Sequence, residues 1–526
     1  MTAAGLPPVD TLLRLTWWKL GLAIASGLVA ALCFPPADFG PLAWLVLVPF
    51  FFVLTQVRPG GGFVLGFVFG FAFMGFYASF MLIYGTFQWA AIMAFQALFF
   101  ALFGLAAAAC NRATHPAVRA LAVAAAWTLA EMLRGGIGGL GFTVGDLGYT
   151  QHDNLPMLQI ASMVGHYGIG FLIAAVNATL AQAVLAVAPG VFARPAVHPR
   201  LFARLAAKTG LATYVVAILL YMWGAVVIRQ APEPSGETLE AAVVQAALRD
   251  SEGATRRDAE AALDTYAELS ETIPDAVDIL VWPEVAVPAP LNERPDMLQR
   301  LGDLARDKSA WLVAGGYEFV PDGRVFNALY AFSPEGEQIG IYRKVILVPF
   351  GESVPMRDRF PWLRRFSLRS VDFSPGESHL VFRLGDYQAG PLICFEGLFP
   401  GAVCANARLG ADFIVLATSD AWAAGTSEIA QHSATATLRA VESRRWVLRA
   451  GTWGESQIIS PWGEVIAAVP PSQPGSAWGE IEPRSELSVY HRYRDAPLLA
   501  ICTVLLIAAL MGPPGRIGPP VGPPSE

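Results

Sequence analysis

Apolar residues run almost unbroken at 16–34, 41–57, 62–84, 88–110, 117–133, 157–189 and 211–228, and again at 497–512. A helix needs roughly 20 apolar residues to cross a bilayer. The pattern therefore predicts eight spans, with 41–57 and 497–512 at the short end. Between 230 and 495 the pattern changes. "LEAAVVQAAL" (239–248), "AVDILVWPE" (276–284), "WLVAGGYEF" (311–319), "GPLICFE" (390–396) and "ADFIVLATSD" (411–420) read as strands. Amphipathic stretches at 257–273, 294–310, 399–409 and 427–445 read as helices between them. Residues 325–344 read as a hairpin turned at Pro334-Glu335-Gly336, and 455–469 as one turned at Pro461-Trp462-Gly463. Apolar strands interleaved with amphipathic helices predict an α/β layered domain.

Three parts follow: a seven-span helical bundle over 1–230, an α/β domain over 231–490, and a last span with a Pro/Gly-rich tail over 491–526. The tail's composition predicts disorder. Charge divides the chain in the same way. Residues 1–230 carry 11 Lys and Arg against 5 Asp and Glu, whereas the rest carries 25 against 38. The bundle is thus about +6 and the remainder about −13, giving the net −7 of the whole chain. Neither part has the clustered basic patch of a nucleic-acid binder. Cations fall in every second connection: Arg14 and Lys19, then Arg58, then Arg112 and Arg119, then Arg194, Arg200, Arg204 and Lys208, and finally Arg516. The opposite loops carry Asp38, Asp146 and Asp153. The positive-inside bias puts both termini in the cytoplasm and the α/β domain outside it. Glu131, His152, His166 and Asn177 lie in or beside spans, where polar groups serve function or bond helix to helix. The Gly-rich segment "GFTVGDLGYTQHDN" (141–154) reads as an external or re-entrant loop bordering a lipid cleft.

The five cysteines, at 33, 110, 394, 404 and 502, show neither metal-ligand spacing nor a disulfide framework. A lone Cys at a strand end is ordinarily a small core residue. Cys394 closes "GPLIC", however, while Glu284 closes "ILVWPE" and Lys344 closes "IYRK". Reactive groups gather where the strands of layered α/β domains end. A thiol with an ordinary pKa of about 8.5 is mostly protonated at neutral pH. A carboxylate can take its proton, and an ammonium can stabilise first the thiolate and then an oxyanion. A helix following Cys394 would add its N-terminal dipole.

"WPE", "RKVILVPFGESVP" and "CFE" resemble the three motifs of the nitrilase, or carbon–nitrogen hydrolase, superfamily. That resemblance implies an αββα sandwich and a Glu-Lys-Cys triad. "CFPP" (33–36), "LGYTQ" (147–151), "VPFGE" and the eight-span frame are similar to the apolipoprotein N-acyltransferase family over nearly the whole chain. The resemblance implies Glu284 as general base, Lys344 as charge stabiliser and Cys394 as nucleophile. It implies Glu352 and Glu396 as further active-site glutamates, with Phe395 beside them where the family usually carries Tyr. It implies no metal and no cofactor. The implied partners are a phospholipid acyl donor, a diacylglyceryl-apolipoprotein acceptor and the membrane. The implied location is a bacterial inner membrane with the catalytic domain in the periplasm. The reaction would pass through a Cys394 thioester. A membrane-anchored amidase or lipid hydrolase could use the same triad with water as acceptor. The chain departs from the family pattern between 245 and 256, where only Gln245 is retained, and after Trp422.

Overall fold

The computed structural model describes residues 14–187, 199–231, 236–248, 255–366 and 372–511. The tail expected to be disordered, Arg194, Arg516 and residues 249–254 of the divergent stretch lie outside the described residues.

The bundle begins with α1 (Trp17–Ala31) and helical turns at Gly40–Leu42 and Ala43–Val46. It continues through α2 (Val48–Leu54), α3 (Pro59–Tyr77), α4 (Thr86–Ala109), α5 (Pro116–Gly136), α6 (Ala161–Val187) and α7 (Pro199–Arg229). Eight crossing helices were expected; among the described residues five segments, 59–77, 86–112, 116–136, 161–186 and 201–229, are long and apolar enough to cross. Trp17–Ala31, Gly40–Leu54 and Ala496–Met511 are shorter apolar helices. The 15 residues of α1 reach only about 22 Å against a hydrocarbon core of about 30 Å. The expected span at 41–57 is broken near Leu47, just before Pro49 of α2. Asn177 satisfies the break: its Oδ1 accepts from Leu47 N at 3.0 Å and its Nδ2 donates to the Ala43 carbonyl at 2.9 Å. The run at 62–84 ends as a helix at Tyr77 and turns into a 3₁₀ segment, Ser79–Tyr84. Helix α7 begins earlier than the apolar run at 211–228, because its first turns carry Arg200, Arg204 and Lys208.

Helices α3 and α4 pack closely because small residues face each other. A Cβ at Gly66 would strike the Phe100 carbonyl, and one at Gly104 the Gly62 carbonyl. Phe50, Phe69, Phe100, Phe103 and Trp127 form the aromatic centre of the bundle.

The α/β domain holds two six-stranded sheets. The first contains β1 (Leu239–Gln245), β2 (Ile279–Val281), β3 (Trp311–Phe319), β4 (Val325–Phe332) and β5 (Gln338–Arg343). The second contains β6 (Phe382–Leu384), β7 (Tyr387–Ile393), β8 (Phe413–Thr418), β9 (Val447–Gly451), β10 (Ser456–Ile459) and β11 (Val465–Val469). The chain then returns, and β12 (Gly475–Ile481) pairs antiparallel with β1. The orders are β12-β1-β2-β3-β4-β5 and β11-β10-β9-β8-β7-β6. Each sheet has three parallel strands at its centre, β1-β2-β3 and β7-β8-β9, flanked by antiparallel ones.

Both faces of these sheets are buried, which is why their strands read as continuous apolar runs. Ala241, Val243, Ile279 and Val281 meet Ile393, Val415, Ala417 and Leu448 between the sheets. The opposite residues of the first sheet, such as Val244, Leu280 and Leu312, pack under α8 (Arg256–Glu271) and α9 (Pro295–Asp307). Those of the second sheet pack under α10 (Pro400–Arg408) and α11 (Glu428–Ser443). The result is an αββα sandwich, as expected. Helix α11 is buried on two sides. Ala436 and Ala440 face the sheet, while Leu438 and Val441 join the core of the bundle. A short α12 (Val489–Tyr493) leads to α13 (Ala496–Met511), which packs on α5.

Candidate active site

Three segments at strand ends supply the buried charges. β2 runs out at Val281, and the chain turns through Trp282-Pro283 to put Glu284 at the mouth of the first sheet. β5 ends at Arg343, so Lys344 is the next residue; its N–H bonds the Asn327 carbonyl of β4 at 2.9 Å. Lys344 Nζ lies 3.2 Å from Glu284 Oε1 and 2.9 Å from Glu352 Oε1. Asn327 Nδ2 donates to both carboxylates, at 2.6 and 3.2 Å. Ser419 N holds the other oxygen of Glu284 at 2.7 Å, and Val348 N that of Glu352 at 2.9 Å. Burial works against the Lys344 ammonium, but the two carboxylates outweigh it and hold its pKa above the ordinary value.

Cys394 directly follows β7 and has φ +51°, a left-handed conformation that costs a non-glycine residue about 1–3 kcal/mol. Burial first, and then the Glu284 carboxylate, push its thiol well above the usual range, against the pull of Lys344. Both effects favour the neutral thiol over the thiolate. The helix expected at 399–409 is α10, Pro400–Arg408, but a five-residue 3₁₀ turn, Cys394–Leu398, separates it from the sulfur. No α-helix dipole therefore begins at the sulfur. All five cysteines are free.

Glu396 plays a different part from Glu352. It lies within that turn, fully buried, and accepts from Val345 N, Ile346 N and Ile393 N at 2.8, 3.0 and 2.8 Å, and from the Tyr342 hydroxyl at 2.9 Å. It ties the segment after Lys344 to the turn after Cys394. Burial pushes its carboxyl up to about 7, against those three backbone donors. Replacing Glu396 with Gln swaps one acceptor for an amide that must face a backbone N–H. We expect a loss of about 1–3 kcal/mol in stability. The displaced turn should slow acylation on the order of 10²-fold. Thermal melting and the rate of acyl-enzyme formation would check both.

Glu284, Asn327, Lys344, Glu352 and Cys394 open into a cavity of ≈540 Å³. Its walls come from both parts of the chain. Phe80, Tyr84, Phe87 and Ile92 are contributed by the bundle, and Trp362, Phe373, Phe395 and Trp422 by the α/β domain. Phe142 and Val144 of the Gly-rich loop 141–154 also line it.

Matches to known proteins cover both parts. The family model described as apolipoprotein N-acyltransferase N-terminal domain matches residues 26–179, and that described as carbon-nitrogen hydrolase matches 240–485. An apolipoprotein N-acyltransferase of Geobacter metallireducens is 31% identical over 505 residues, covering 93% of this chain and 94% of that protein. The chain belongs to the apolipoprotein N-acyltransferase family. A Pseudomonas putida relative of the same name is 30% identical over 94% of this chain and 97% of its own length. Among solved structures, Saccharomyces cerevisiae Nit3, a member of branch 10 of the nitrilase superfamily, is similar at 20% identity. It covers 51% of this chain and 97% of its own, with a TM-score of 0.39.

Within this member of the apolipoprotein N-acyltransferase family, the bundle grips the turn that bears Cys394. The Leu398 carbonyl accepts from Thr143 Oγ1 at 2.9 Å, Tyr149 OH at 3.4 Å and Arg439 Nη1 at 3.0 Å. Behind them Arg134 pairs with Asp146, Asp146 with His166, and His166 with Glu442. The motif "LGYTQ" and two of the polar span residues, Glu131 and His166, belong to this interface; Glu131 accepts from Leu147 N at 2.7 Å. His152 instead pairs with Asp38.

Sequence reasoning missed several lining groups. Asn327 was hidden inside the apolar run of β4, where a lone polar residue was the available signal. Glu428 and His432 also line the cavity, with Asp420 bonded to His432, and sequence reasoning assigned none of the three a role. Cys394, Asp420 and His432 bring a sulfur, an oxygen and a nitrogen within 4.8 Å of one another. Both Asp420 oxygens are already engaged, by His432 at 2.8 Å and Arg449 at 2.7 Å. This arrangement suits an oriented imidazole better than a metal ligand set.

Proposed function

We propose that this acyltransferase moves a fatty acyl chain from a membrane phospholipid to the N-terminal α-amine of a diacylglyceryl-cysteine on an apolipoprotein, in two steps. In the first, Cys394 Sγ attacks the sn-1 ester carbonyl and Glu284 takes the thiol proton. The C–S bond forms, the ester C–O bond breaks, and the proton leaves on the glycerol oxygen of the lysophospholipid. In the second, the amine attacks the thioester. The C–N bond forms, the C–S bond breaks, and a proton returns through Glu284 to the sulfur. Lys344, held between Glu284 and Glu352, stabilises the oxyanion of each tetrahedral intermediate. Glu352 fixes that lysine, and Glu396 fixes the Cys394 turn.

The observation that carries this reading is the cavity. The charged group sits at the end of an apolar chamber built jointly by bundle and catalytic domain, as two lipid substrates require. An apolar chamber also keeps water from the thioester. The positive-inside pattern supports a bacterial inner membrane with the catalytic domain in the periplasm.

The test is intact-protein mass spectrometry after incubation with phospholipid. A fatty-acyl mass on Cys394, absent from Cys394→Ser and lost when a diacylglyceryl-cysteine peptide is added, is the expected result. A mass lost equally fast without peptide would identify a hydrolase instead.

A further inference from the structure

The proton inventory of the second step needs two acceptors. The attacking nitrogen arrives as an ammonium with three N–H bonds and leaves as an amide with one. Glu284 can hold one proton at a time, and it must hand that proton to the departing sulfur. The other proton has to go elsewhere before the nitrogen has a lone pair to attack with.

A second base faces the same cavity. His432 on α11 is only 4% exposed and lines the chamber. Its Nδ1 lies 2.8 Å from Asp420 Oδ1. Asp420 is held as a carboxylate: burial opposes this, but His432 and Arg449 outweigh burial and keep its pKa below the ordinary range. A carboxylate only accepts, so Nδ1 carries the hydrogen and Nε2 is the basic position. Nε2 has no hydrogen-bond partner among the described residues. One helical turn earlier, Glu428 lines the chamber too. Its Oε1 is 3.7 Å from His432 Nδ1, and its buried Oε2 is likewise unpartnered among the described residues. The same imidazole lies within 4.8 Å of the Cys394 sulfur.

We propose that His432, oriented by Asp420 and flanked by Glu428, is the acceptor-amine site, and that His432 Nε2 removes one proton from the α-ammonium so that the free amine can attack the Cys394 thioester. The proposal rests on the two-step reading above. Glu428 receives the cationic head, His432 takes the first proton, and Glu284 takes the second as the C–N bond forms. Glu284 passes its proton to sulfur, and His432 releases its own to water with the product. Burial, and then Asp420, push Glu428 up to about 8, and an arriving ammonium favours its carboxylate form. Burial opposes a charged imidazole, and so does Arg449, but Asp420 and Glu428 outweigh both and hold His432 above its ordinary value. An α-amine has an ordinary pKa of about 7.7–8.0, so an imidazole raised in this way is better matched to the proton it takes.

The experiment separates the half-reactions. Full-length protein in detergent is loaded with phospholipid, freed of donor, and chased with a diacylglyceryl-cysteine peptide, with acyl mass read over time. His432→Asn should slow the chase at pH 7 on the order of 10²-fold, far more than it slows loading, and raising the pH should recover the chase. Hydroxylamine, a nucleophile already neutral at pH 7, should discharge both proteins at equal rates. Glu428→Gln should raise the peptide concentration needed for half-maximal chase. Equal slowing of loading and chase in His432→Asn would show a structural role and overturn the proposal. So would a chase at the wild-type rate, or slowing shared by hydroxylamine. A wild-type acyl-enzyme that the peptide fails to discharge would instead sink the two-step reading, and this proposal with it.

Discussion

Cys394→Ala should leave a folded protein that never acquires an acyl group. Cys394 directly follows β7, with its backbone at φ +51°, and lines the chamber beside Glu284 and Lys344. The substitution removes one sulfur from the margin of the inter-sheet core, so the thermal midpoint should barely move. Activity should fall on the order of 10⁴-fold or more, as it does when the nucleophile of a covalent enzyme is deleted. Burial and Glu284 push the thiol well above its usual range, so in the proposed mechanism attack would rely on transfer of its proton to Glu284 rather than on a standing thiolate. Alkylation of the wild-type thiol by iodoacetamide should therefore be slow at pH 7 and speed up as pH rises. An acyl mass on the Ala variant, mapped to another residue, would show the nucleophile to be misassigned.

The catalytic domain was legible because its physics is local. Strands buried on both faces give unbroken apolar runs, and a charged residue closing such a run is conspicuous, as with Glu284 after "ILVWP" and Lys344 after "IYR". The hairpins at 325–344 and 455–469 were marked by Pro and Gly at their turns. The lost information was of two kinds. Some lay in long-range pairing: β12 closes the first sheet beside β1 from well over 200 residues away in sequence. Asp420 and His432 come together at the sulfur only once β7 and β8 lie side by side. The rest lay in helix ends. Hydropathy could not see that a span stops at Tyr77, or that α6 bends at Gly165. There the Tyr490 ring fills the space a Cβ would need. Helix α11 illustrates both limits. It reads as an ordinary amphipathic helix, yet it is buried on nearly every side, because the bundle covers the face that water would otherwise wet.

That same joint couples the two parts of the chain. The Leu398 carbonyl, four residues after the nucleophile, is held by two bundle residues and by Arg439 of α11. A change in how the bundle seats against α11 would therefore move the Cys394 turn directly. The apolar chamber and the Cys394 turn form one mechanical unit.

Lys344→Met should produce the largest combined loss. Lys344 is 1% exposed and stands between two carboxylates at 3.2 and 2.9 Å. Methionine matches its length without its charge, leaving Glu284 and Glu352 buried together with only Asn327 to bridge them. Breaking a buried pair in this way costs about 3–5 kcal/mol. If Lys344 is the oxyanion donor proposed above, its loss removes a further factor on the order of 10²–10³ in rate. The pH dependence fixes the cause. With the cation gone, like charges disfavour each other, so one carboxyl should take up a proton in the folded state, its pKa rising above the unfolded value of about 4.3. A group raised in this way contributes stability at low pH and loses it as pH climbs through the folded pKa. The melting midpoint of Lys344→Met should therefore rise, relative to wild type, as pH is lowered from 7 toward 5. Adding Glu352→Gln removes one of the two opposed charges. The double variant should regain much of the lost stability at pH 7 and none of the acylation. Recovery of both together would mean that Lys344 serves only as the partner of an ion pair, and that another group carries the oxyanion.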